Sequence, residues 1–174
     1  MPLLGILAAC GGSEPEIIAE PVEFHRPADA SDYEDRATKL INRARRSRGL
    51  IPLRRDPQLD ALARAHARDM AAMRRVTHEG SDGRSGVKRL RRSGYRFSYF
   101  AENVSGPDSR YQAIDHRHHR PENTTRRLLE SPSHRVNLLN PNLTRLGIAH
   151  HHGYWVQVFA TPALNPVYSS QSFR

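Results

Sequence analysis

Ser131-Pro132-Ser133-His134-Arg135-Val136-Asn137-Leu138-Leu139-Asn140-Pro141 is the stretch on which the reading of this chain turns. Ser131 supplies an N-cap type, and Pro132 falls at a first helical position, where its missing N–H costs nothing and its φ is already set. Asn140-Pro141 closes the segment, because a residue before proline is pushed out of the helical region. A short helix with His134 in its first turn is the expectation. The period then changes: Leu146 and Ile148 alternate, Tyr154 through Phe159 alternate, and Gly153 stands between them. That pattern predicts a β-hairpin.

Working outward toward the N-terminus, Tyr33, Ala37, Leu40, Ile41 and Ala44 recur at helical spacing, with Gly49 as a stop. Asp56-Pro57 provides an N-cap and first-turn proline for a helix whose apolar face runs Leu59, Leu62, Ala63, His66, Met70 and Met73. A third, short helix fits Gly86 to Arg92, ended by Gly94, and Phe97 to Val104 reads as a strand broken by Gly106-Pro107. Residues 108–123 are polar and read as an exposed loop, followed by a helix from about Thr124 to Leu129. Helices and strands interleave without internal repeats, which predicts an α+β fold with an antiparallel sheet.

The chain has 174 residues, enough for one domain, and 37% apolar with 7% aromatic residues is enough for a core. Its formal charge is +9, distributed unevenly. Residues 11–35 are acidic, whereas everything from residue 36 onward carries a net +16. The bases are nearly all arginine, with Lys39 and Lys88 the two lysines. So basic a domain is suited to anionic lipid or polymer surfaces. Nucleic acid is not the expected partner, since no zinc-finger spacing and no basic–aromatic interleaving is present.

A single cysteine cannot form an internal disulfide. Cys10 ends the run Leu7-Ala8-Ala9-Cys10, which resembles the lipobox of bacterial lipoproteins. Upstream the match departs from that pattern: Met1-Pro2 supplies no positive start, and the apolar run is only Leu3 to Ala9. The organisation expected is a signal peptide with lipobox over 1–10, a flexible tether over 11–32, one folded domain over 33–162 and a tail over 163–174. The localisation expected is export across the inner membrane to the periplasm, with a lipid anchor at Cys10.

Four segments in order resemble bacterial members of the CAP family (cysteine-rich secretory, antigen 5 and pathogenesis-related-1 proteins). They are Leu40-Ile41-Asn42 with Leu53 to Leu59 and Ala65 to Met70; Thr77-His78-Glu79-Gly80-Ser81-Asp82-Gly83; Ala101-Glu102-Asn103-Val104; and Ser131 to Pro141 with Leu146-Gly147 and Tyr154 to Phe159. The resemblance implies a three-layer α/β/α sandwich with a central antiparallel sheet, and a cleft holding two histidines and two acids. Residue by residue it carries over to His78, Glu102 and His134. In plant and animal members an acid stands three residues after a tryptophan. Leu128 takes the tryptophan's place here, so Ser131 falls on the acid position and Glu130 one residue before it. Either can be the fourth cleft residue.

On chemical grounds, two neutral imidazoles such as His78 and His134 can hold a divalent ion such as zinc, while carboxylates orient a ring N–H or a bound water. The positive end of the helix after Pro132 would keep His134 neutral. His66, on an apolar helix face, reads as a core histidine. His116, His118, His119 and His150-His151-His152 read as exposed loop residues, although such tracts can bind metal. Trp155 and Phe159 read as sheet core.

Three functions stay open at this point. The first is a cell-envelope binding module for a small or lipidic ligand, with or without a divalent cation. The second is a metal-assisted hydrolase of peptides or envelope polymers, with Glu102 as the candidate base. The third is a basic module that adheres to anionic lipids. No His-Glu-x-x-His or Gly-x-Ser-x-Gly motif is present to favour the enzyme.

Overall fold

The computed structural model describes residues 30–107 and 120–163. Cys10 with its lipobox, residues 11–29 of the tether, His116, His118 and His119, and residues 164–174 lie outside the described residues.

Among the described residues, five helices and four strands follow one another as α1 (Ala30–Arg46), β1 (Arg54–Arg55), α2 (Pro57–Met73), α3 (Gly86–Arg92), β2 (Phe97–Ser105), α4 (Pro121–Glu130), α5 (Pro132–Leu138), β3 (Arg145–His151) and β4 (Tyr154–Pro162). The sheet order is β1-β3-β4-β2, so among the described residues β2 has a neighbour on one side only. β2 and β3 both pair antiparallel with β4, whereas β1 pairs parallel with β3. The sheet is thus mixed rather than wholly antiparallel, through a two-residue strand too short to show a period.

Period-two alternation along β4 sorts the side chains into two layers. Tyr154, Val156, Val158 and Ala160 pack with Leu59, Ala63, Ala67 and Met70 of α2 and Leu90 of α3. Trp155 and Phe159 pack on the other face with Ala37 and Ile41 of α1, Leu128 of α4 and Leu138 of α5. The architecture is the α/β/α sandwich, and Trp155 and Phe159 are core as expected. A Cβ added at Gly147 would lie 2.1 Å from the Leu59 carbonyl carbon, so the missing side chain lets α2 lie directly on β3.

Local chemistry explains the element ends. The Asp56 side chain accepts from the Gln58 and Leu59 N–H groups at 3.0 and 3.3 Å, capping α2 ahead of Pro57. His152 and Gly153 both have positive φ (46° and 85°), the two-residue turn that suits a right-twisted hairpin.

Three expectations are corrected. α1 begins at Ala30, inside the expected tether. α4 begins at Pro121, inside the expected 108–123 loop, with a first-turn proline of the same kind as Pro57 and Pro132. His150 is not an exposed loop residue. It is half-buried, with its ring 4.7 Å from Trp155 and 5.4 Å from Tyr33 (centroid distances) and its backbone N–H donating to Glu34 Oε1 at 3.2 Å.

Arg45 is buried completely. Its guanidinium donates to the carbonyls of Ile51 (2.9 Å), Leu138 (2.9 Å), Asn140 (3.0 Å) and Leu143 (3.2 Å), tying the end of α1 to the segment that ends α5. Desolvation holds its pKa below the usual arginine value.

Candidate functional site

The free edge of β2 is where the candidate residues meet. Glu102 and Asn103 are consecutive on this strand and point to opposite faces. The Glu102 side chain is 4% exposed and reaches the α3 side, where Nδ1–H of His78 donates to Oε1 at 2.9 Å. Arg89 of α3 donates to Oε2 at 2.8 Å. Arg89 also donates to the carbonyls of His78 (3.0 Å) and Arg84 (2.6 Å), so one guanidinium fastens both the 77–85 loop and the carboxylate. Ser81 N–H to Asp69 Oδ2 (2.8 Å) and Gly80 N–H to Arg84 O (3.0 Å) complete the loop. A Cβ at Gly86 would stand 2.7–2.9 Å from the Glu102 carboxylate atoms, so glycine leaves the room that the carboxylate fills.

On the other face, Asn103 donates to the carbonyl of His134 and to Gln157 Oε1, each at 3.2 Å. Asn137 of α5 donates to Asn103 Oδ1 at 2.8 Å and to the Glu102 carbonyl at 3.4 Å. This amide ladder clips α5 onto the sheet, and its last bond covers one of the backbone groups that an edge strand leaves open. His134 is thereby carried to the same edge as His78.

Ser131 is at the N-cap position of α5, but its hydroxyl makes no cap. It lies 2.8 Å from His134 Nδ1 instead. Ser131 is therefore the residue that holds the second imidazole. The Glu130 side chain is 64% exposed and lies 3.6 Å from Arg126. It lines, with His134, Ser131, Ser105, Thr124, Arg127 and Leu128, a cavity of about 340 Å³.

The two imidazoles are driven in opposite directions. The hydrogen bond to Glu102 raises the pKa of His78 above the ordinary value, against some burial. Burial lowers that of His134, and the charge on His78 lowers it further. His66 is buried in the core, as expected, with Nε2 bonded to the Thr77 carbonyl at 2.8 Å. Burial and then Arg89 lower its pKa. Its Nδ1 has no partner among the described residues, nor have Gln157 Nε2 and Thr125 Oγ1.

The zinc expectation finds little footing in this donor set. Among the described residues, no group of three or more His, Cys, Asp or Glu is placed to hold an ion. Both oxygens of Glu102 are committed, one of them to a fixed guanidinium whose charge opposes a nearby cation. Among the described residues, His78 and His134 stand without the third His, Cys, Asp or Glu ligand that a resident divalent ion would need.

Reading the sequence brought out His78, Glu102 and His134 but not Arg89, Asn103, Asn137 or Gln157. Asn103 was within reach, as the alternating neighbour of Glu102. Arg89 had no signal, being one arginine among twenty-five.

A mixed sheet between two helical layers, with His78 and His134 each held at the β2 edge, frames the comparison with known proteins. The chain belongs to the cysteine-rich secretory protein (CAP) family, which it matches over residues 38–159. It is 28% identical over 135 residues to the uncharacterized protein YkwD of Bacillus subtilis (strain 168), covering 76% of this chain and 49% of that one. The chain therefore spans about half the length of that relative. Its fold is similar to that of an extracellular, SCP-domain protein from Bacillus anthracis str. Ames (TM-score 0.66, 24% identity, 75% of this chain and 41% of the other). It is equally similar to that of an outer surface protein from Borrelia burgdorferi (TM-score 0.66, 18% identity, 78% and 97%).

Proposed function

We propose that this chain is an exported, envelope-associated binding module whose ligand enters the cleft at the open edge of β2. The observation that carries this reading is geometric: His78 is held 2.9 Å from the buried Glu102 carboxylate, and His134 is held 2.8 Å from the Ser131 hydroxyl. Glu102 favours a protonated His78, which is a donor, while burial favours a neutral His134, whose ring also serves as an acceptor. A sheet edge that favours a cationic donor at His78 and a neutral imidazole at His134 is suited to orienting the polar head of a ligand. The cavity of about 340 Å³ beside His134, with Leu128 and Thr124 in its wall, offers room for the attached apolar part. Extracellular and outer-surface settings of the structurally similar proteins support export. The Leu7–Cys10 run supports a lipid anchor in the membrane, and the Arg-rich surface supports contact with anionic envelope polymers.

Metal-assisted hydrolysis has less support, because one oxygen of Glu102 is bonded to His78 and the other to the Arg89 guanidinium, so it is not a free base. The test is mass spectrometry of organic extracts from the full chain purified out of its envelope, beside Ser105→Phe, which fills the cavity. A stoichiometric small or lipidic molecule in the wild type, absent from Ser105→Phe, is expected. No such molecule in the wild type, or equal amounts in both proteins, would contradict the reading.

A further inference from the structure

A second site lies away from the histidine cleft, at the end of the sheet opposite the 152–153 turn. There the start of β3, the end of β4, the first residues of α2 and the segment entering β2 enclose an open cavity of about 510 Å³. Its charged and hydrogen-bonding lining is Arg55, Asp56, Gln58, Tyr95, Arg96 and Arg145.

These groups differ in how far they are committed. Arg55 is neutralised by Asp60 (2.9 Å), Asp35 (3.3 Å) and Glu34 (3.5 Å). Asp56 spends Oδ1 on the α2 cap and Oδ2 on the Tyr95 hydroxyl, which donates at 2.8 Å. Gln58 donates to the Ser93 carbonyl at 2.9 Å. Arg96 and Arg145 remain, and neither side chain has an ion pair or hydrogen bond among the described residues. Two guanidinium groups thus border one cavity whose single carboxylate is already engaged. The positive end of α2, a 17-residue helix, faces Asp56 and offsets the charge of that carboxylate. Guanidinium forks match the oxygens of a phosphoryl group in pairs, and a doubly charged group balances both.

We propose that this cavity binds a phosphoryl group through Arg96 and Arg145. The source is a free phosphate compound or the headgroup of a phospholipid, and one experiment separates them. It shares no residue with the histidine cleft, so either site can fail without the other.

The full chain is titrated calorimetrically with inorganic phosphate at constant ionic strength. In parallel it is sedimented with vesicles of equal parts phosphatidylcholine and phosphatidic acid, or of phosphatidylcholine alone. Arg96→Gln with Arg145→Gln is compared with Arg43→Gln plus Arg46→Gln, which removes the same charge from exposed positions on α1. Loss of two charge-assisted bonds should weaken binding at least about tenfold in the first pair and leave the second near wild type. A variant-sensitive phosphate titration assigns a free ligand; sensitivity on acidic vesicles alone assigns the headgroup. Single Arg96→Gln, at an exposed side chain without partners among the described residues, keeps the test valid should the double variant unfold. Binding of neither probe, or equal losses in both variant pairs, would overturn the proposal.

Discussion

The Glu102 carboxylate lies 2.9 Å from Nδ1 of His78, the acid buried on an edge strand and the imidazole mostly in solvent. The acid is placed by the sheet, whereas the histidine is placed by a loop that Arg89 ties to the same acid. One carboxylate thus anchors the histidine at the mouth of the cleft and raises its proton affinity.

Gly86→Ala tests how tightly that carboxylate is held. Its new Cβ would overlap Glu102, which His78 and Arg89 prevent from swinging away. The expected result is a His78 pKa nearer the ordinary value and a stability loss of about 1–2 kcal/mol, as for other overpacked sites. NMR titration and urea unfolding of the variant check both. An unchanged His78 would mean that the carboxylate has room to spare.

Arg45→Met keeps length and removes the guanidinium, leaving carbonyls at 51, 138, 140 and 143 without their donor. Each buried unpaired group costs about 1–3 kcal/mol, so a loss of at least about 3 kcal/mol is expected. The exposed neighbour Arg43→Met should change stability by less than about 0.5 kcal/mol. Similar melting temperatures for the two variants would contradict the role assigned to Arg45.

That residue also shows where reading a sequence stops. The apolar faces of α1 and α2 and the hairpin were legible because their periods are local. Pro121 carried the same first-turn signal as Pro57 and Pro132, yet the polar run before it masked the start of α4. Arg45 was not legible, since its carbonyls lie up to 98 residues away along the chain and any exposed arginine looks the same. Within the cleft, His78, Glu102 and His134 followed from an ordered set of motifs. Ser131 as the partner of His134, and Asn103 and Asn137 as the clip on α5, depend on helix placement that spacing does not specify.

His66 gives acid sensitivity. Burial lowers its folded pKa below the ordinary 6.5, so the unfolded chain binds the proton more readily. Its contribution is therefore complete above that ordinary value and is lost as pH falls toward the lowered one. His78, with a raised pKa, has the opposite sign: its contribution is present below 6.5 and fades as pH rises through the folded value. Comparing wild type with His66→Gln isolates the first effect. The difference in unfolding free energy should shrink between about pH 7.5 and pH 5, and a constant difference would contradict it.

For Cys10 the expectation is covalent lipid. Growth with a palmitate analogue should label the wild-type chain and not Cys10→Ser. An unlabelled wild type would remove the anchor from the account while leaving the folded domain as described.

At the centre of this reading, Glu102 raises the proton affinity of His78, while burial and the His78 charge lower that of His134. The most direct measurement is an NMR titration of the imidazole signals of His78 and His134 in the full chain and in Glu102→Gln. The account predicts His78 titrating above 6.5 and His134 below it in the wild type, with His78 falling in Glu102→Gln once its anionic acceptor is gone. Wild-type histidines that titrate together near the ordinary value, or a His78 indifferent to Glu102→Gln, would contradict it.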